Sequence, residues 1–120
     1  MYQQELLDHY HQSPHRGTLE APDFVSEVYS PSCGDKISFA GHMYDNKPTA
    51  IKFVGTGCVI SQAAASLLAQ TAMQLTKDDI LTFDTQRMLA LVGIPLGPTR
   101  LKCALLPLEA LQQALRSMHK

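Results

Sequence analysis

The chain has 120 residues, 45% of them hydrophobic, enough for one compact domain spanning residues 1–120 that buries a core without disulfide staples. A formal net charge of −1 and a pI near 6.5 leave no basic footprint for a phosphate backbone, which excludes nucleic acid as a partner. No stretch nears the roughly 20 apolar residues of a membrane span, and residues 1–12 carry neither a basic n-region nor an apolar h-region, so a soluble cytoplasmic protein with no membrane partner is expected.

Tyr2, Leu6, Leu7 and Tyr10 recur at helical spacing before Ser13-Pro14 interrupts them, predicting a short amphipathic helix from about Tyr2 to His11. From Phe24 to Tyr29 the chain is rich in β-formers. Ile37, Phe39, Gly41 and Met43 then alternate with Lys36, Ser38, Ala40 and His42, and Ala50–Val54 returns as a third strand after the turn residues Asp45-Asn46-Lys47-Pro48. After Gly55-Thr56-Gly57, residues Ile60, Ala64, Leu67, Leu68, Ala72 and Leu75 recur at three- and four-residue steps, the strongest helical signal in the chain. Thr76-Lys77-Asp78-Asp79 has the form of a capping box, and Asp84 can cap a segment through Met88, Leu89, Leu91 and Val92 that Gly93 and Pro95 end. Leu108, Leu111, Leu115 and Met118 form the stripe of a last helix that is expected to begin near Cys103 and to carry Pro107 in its first turn. The expected class is α+β: a three-stranded antiparallel sheet with helices packed on one face.

Three cysteines is an odd number, and Cys33, Cys58 and Cys103 are too widely spaced for a CxxC framework, which leaves packing or ligation as their roles. A free cysteine usually behaves as a small buried hydrophobe. Here each falls at a predicted element boundary, where helix N-termini and the basic neighbours Lys36, Arg100 and Lys102 favour the thiolate, the form that binds metals and attacks electrophiles. Glycines beside Cys33 and Cys58 permit positive φ and close backbone approach. Three converging thiolates would make a soft site for Zn(II) or an iron-sulfur cluster with one position left, for which Asp35 is the candidate; taken alone, Asp35 reads as an ordinary turn aspartate. The hard carboxylate oxygen would make such a site labile, which suits a carrier.

Asp8-His9-Tyr10 with Ser13-Pro14, Cys33-Gly34-Asp35, Gly57-Cys58 with its Ala/Ser-rich helix, and Leu101-Lys102-Cys103-Ala104 together resemble the U-type iron-sulfur cluster assembly scaffolds, IscU and the NifU N-terminal domain, over nearly the whole chain. The resemblance implies a SufE/NifU-like fold and a protein that accepts sulfur from a cysteine desulfurase, binds iron, builds a transient 2Fe-2S cluster and passes it to apo-proteins. Cys33, Asp35, Cys58 and Cys103 would be the ligands, Asp35 would tune release, Cys103 would accept persulfide sulfur, and Zn(II) could occupy the same site. His9 fits the N-terminal motif; His11, His15, His42 and His119 are expected to face solvent.

Two departures from the IscU pattern stand out. Lys102 replaces the histidine before the third cysteine, as in the SufU branch, and as an ammonium it would pair with Asp35 or steady a thiolate rather than coordinate. The interval from Cys58 to Cys103 is nevertheless short, as in IscU. Leu96-Gly97-Pro98-Thr99-Arg100 keeps one proline and the basic end of the run that IscU presents to an Hsp70-type chaperone, so that partner is not carried over. The rival is a SufU-like, zinc-dependent sulfurtransferase; a purely structural zinc module ranks last, because a core of this size does not need one.

Overall fold

The computed structural model describes residues 13–30, 34–93 and 95–118. The helix predicted over Tyr2–His11, and with it His9 and His11, lies outside the described residues, as do Cys33 and His119. Three strands, β1 (Phe24–Ser30), β2 (Asp35–Tyr44) and β3 (Lys47–Thr56), form an antiparallel meander in the order β1-β2-β3. Asp45 and Asn46 join β2 to β3 with φ of 54° and 67°, the left-handed values that a two-residue hairpin of type I′ demands and that Asp and Asn tolerate. Four helices follow: α1 (Val59–Ala72), α2 (Lys77–Leu81), α3 (Thr85–Val92) and α4 (Pro98–Arg116).

Strand alternation sends Phe24, Ile37, Phe39, Ile51 and Phe53 to one face, where α1 packs over β3 and α4 over β1 and β2. α1 is buried nearly all round, and its run of Ala63, Ala64, Ala65, Ala69 and Ala72 lets the sheet, α3 and α4 approach closely. On the opposite face Val25, Tyr29 and Val54 are exposed. Residues 15–17 run beside β3: Phe53 N–H donates to the His15 carbonyl and Gly17 N–H to that of Phe53, so part of the edge is paired.

The caps match the sequence. Thr76 and Asp79 form a reciprocal capping box, Asp84 Oδ1 accepts from Arg87 N–H, and Gly93 ends α3 at φ 78°. The last helix corrects the sequence reading. It starts five residues before Cys103, with Gly97 as N-cap and Pro98 at the first position. Pro98, not Pro107, is the proline of the first turn, because its missing N–H costs nothing there. Pro107 sits inside the helix and removes the amide that would bond to the carbonyl four residues back, that of Cys103.

Candidate metal centre

The site is built where strand ends meet helix starts. The β2–β3 register pairs Lys36 with Thr56, so Asp35, the first residue of β2, lies beside Gly57 just past the end of β3. Cys58 follows as the N-cap of α1, and α4 brings Cys103 to the same corner. One carboxylate oxygen of Asp35 and the sulfurs of Cys58 and Cys103 all lie within 4.8 Å of one another. Tetrahedral thiolates about 2.3 Å from a zinc ion stand about 3.8 Å apart, so a shift of about 1 Å would gather these donors around an ion. Two sulfurs and a carboxylate are also the donor chemistry that Zn(II) or iron selects, so the residues fit such a guest.

Hydrogen bonds fix this corner. Cys58 N–H donates to Asp35 Oδ1 at 2.9 Å, and the Cys58 thiol donates to Oδ2 at 3.2 Å. Asp35 is 1% exposed, and among the described residues no buried side-chain N or O atom lacks a partner. Gly57 adopts φ +116°, and a β-carbon there would stand 1.9 Å from Asp35 Oδ1. Only glycine lets the backbone and the carboxylate approach so closely. Ser61, fully buried, donates to the Cys58 carbonyl at 3.2 Å.

Of the sequence-derived candidates, the structure brings Asp35, Cys58 and Cys103 together, while Cys33 is outside the described residues. Cys58 is partly exposed. Cys103 is 3% exposed and sits in the second turn of α4 rather than at its entrance, beyond the reach of the helix N-terminal field. Lys102 is exposed and lines a groove of about 330 Å³ with Tyr29, Ser30, Leu105, Leu106 and Glu109; no ion pair joins it to Asp35 among the described residues. His15, expected at the surface, is half-buried with Nδ1 3.1 Å from the Ile51 carbonyl oxygen.

Sequence reading missed Gln62 and Arg16. Gln62 is buried in α1, and a polar residue inside its Ala-rich run was the available signal.

A relative named zinc-dependent sulfurtransferase SufU, from Bacillus subtilis (strain 168), is 31% identical over 134 aligned residues, covering 96% of this chain and 89% of its own. The iron-sulfur cluster assembly scaffold protein IscU of Thermotoga maritima is 29% identical over 136, covering 100% of this chain and 96% of its own. The crystal structure of a nitrogen-fixing NifU-like protein (N-terminal) from Brucella abortus matches with a TM-score of 0.79 over 98% of this chain and 93% of that one; at 24% identity the likeness establishes the fold. The family model for the NifU-like N-terminal domain matches residues 1–120, and this chain belongs to that family.

Proposed function

We propose that this chain is an iron-sulfur cluster assembly scaffold of the IscU type, which takes sulfur from a cysteine desulfurase, combines it with iron as a transient 2Fe-2S cluster and hands the cluster to apo-proteins in the cytoplasm. The observation that carries the reading is the convergence of Asp35, Cys58 and Cys103, from three separate elements, to within 4.8 Å at one corner of the fold. Cys33 is the proposed fourth ligand. The mixed donor set supports delivery over permanent residence, because a carboxylate holds soft metals less firmly than a thiolate does.

Two observations favour the rival, a zinc-dependent sulfurtransferase: the SufU relative carries that name, and Lys102 follows the SufU pattern. In both readings Cys103 is the proposed sulfur acceptor. Its burial means that the first turns of α4 must open for a desulfurase persulfide to reach it, whereas Cys58 stands closer to solvent.

Anaerobic reconstitution with Fe(II), cysteine, a desulfurase and a thiol reductant that converts persulfide sulfur to sulfide, followed by addition of an apo-ferredoxin, separates the readings. Sulfide-to-iron absorption that forms on this chain and moves to the acceptor supports the scaffold. No absorption, with persulfide carried by the zinc-loaded chain, supports the sulfurtransferase. Cys103→Ser is expected to abolish the one-sulfur mass increase after desulfurase treatment; a retained increase that Cys58→Ser removes would move the acceptor role to Cys58.

A further inference from the structure

Resting on the reading of Asp35, Cys58 and Cys103 as metal donors, we propose that Arg16 and Gln62 are positioning residues that orient the Asp35 carboxylate through the peptide unit between Gly57 and Cys58. Arg16 donates to Gln62 Oε1 at 2.7 Å. Gln62 Nε2 donates to the Gly57 carbonyl at 3.2 Å, and Cys58 N–H donates to Asp35 Oδ1 at 2.9 Å.

The Gly57 carbonyl and the Cys58 N–H belong to one trans peptide, so they point in opposite directions from one rigid plane. Gln62 holds one side of that plane and Asp35 the other. Rotation of the plane would break both bonds at once, and glycine at φ +116° is the kind of position where a peptide would otherwise turn with little steric resistance. The chain of bonds also runs in one sense. A guanidinium polarises the Gln62 amide, that amide polarises the peptide, and the peptide N–H strengthens toward the carboxylate. With Oδ1 held by the peptide, Oδ2 is left facing the Cys58 sulfur, 3.2 Å away.

Both outer links are themselves anchored. Gln62 is 7% exposed in the first turns of α1. Arg16 lies over the buried Phe53 ring with its guanidinium carbon 5.1 Å from the centroid, in the segment that pairs with β3. The relay therefore couples the segment before β1 to a carboxylate at the far side of the Gly57–Cys58 junction between β3 and α1.

The test loads the whole chain with zinc alone and follows its transfer to a chromophoric chelator. Gln62→Glu keeps an acceptor for Arg16, now ionised, but has no N–H for Gly57. Arg16→Met breaks the first link from the half-exposed end and leaves Gln62 in place. Each is expected to release zinc about tenfold faster than the unsubstituted chain, in the range for loss of an outer-shell partner. On an Asp35→Ala background the same substitutions are expected to change release by less than about twofold, because no carboxylate remains to be oriented. Equal acceleration on both backgrounds, or release from Gln62→Glu at the unsubstituted rate, overturns the relay. A chain that takes up no zinc overturns instead the ligand reading beneath it.

Discussion

Asp35 and Cys58 are held by bonds with direction. Their corner has a carboxylate accepting from a backbone N–H and a thiol, a glycine that leaves no room for a side chain, and a glutamine gripping the other side of the same peptide. Cys103 is held by packing: α4 carries it against the sheet and α1 on Ala104, Leu106, Leu108, Leu111 and Leu115, all buried. One arm of the site thus depends on a few polar geometries, and the other on the stability of the whole core. A metal could be lost from the first arm without unfolding, whereas the second should fail only with the fold.

The largest effect should come from breaking the packed arm. Leu111 is fully buried, and Leu111→Ala is expected to cost about 3 kcal/mol through lost transfer energy and residual cavity, read as a drop in the urea midpoint at unchanged slope. Zinc release from molecules still folded should stay near that of the unsubstituted chain; a large acceleration below the unfolding transition would mean that the packed arm is not passive. Gly57→Ala breaks the polar arm. Its β-carbon must displace the Asp35 carboxylate and accept a strained φ, at a cost of about 1–3 kcal/mol, and zinc release should quicken more than about tenfold. The ratio of the two readouts, stability against release, should therefore invert between these variants. Equal ratios would erase the distinction between the arms.

The same division explains what could be read from the sequence. The packed arm was legible because apolar periodicity is a long, redundant signal: Phe39, Phe53, Leu68 and Leu111 each repeat information that their neighbours carry. The caps at Thr76 and Asp84 were legible because capping is local. The ligand candidates were found from residue type, boundary position and family motif, but their meeting depends on the register that sets Lys36 opposite Thr56, which composition does not encode. The Arg16–Gln62 link spans 46 positions and joins residues that individually resemble surface polar side chains. The start of α4 was misread because a proline marks a helix start more often than an interior, and both Pro98 and Pro107 lie in the same segment.

Pro107 lies in the packed arm one helical turn beyond Cys103, and its substitution should have the smallest effect on stability. Proline inside a helix is about 3 kcal/mol less favourable than alanine, so Pro107→Ala recovers helical energy and restores an amide aimed at the Cys103 carbonyl. The ring is also fully buried. Truncating it forfeits about 0.8 kcal/mol per methylene plus a cavity contribution, and the freer unfolded chain gains up to about 1 kcal/mol. These terms nearly cancel, so the urea midpoint should move by no more than about 1 kcal/mol equivalent. The turn carrying the Cys103 sulfur would tighten all the same, and zinc release should shift measurably in a protein of unchanged stability. A gain above about 2 kcal/mol with unaltered release would instead make Pro107 a plain defect of the packed arm, with no part in aiming its thiol.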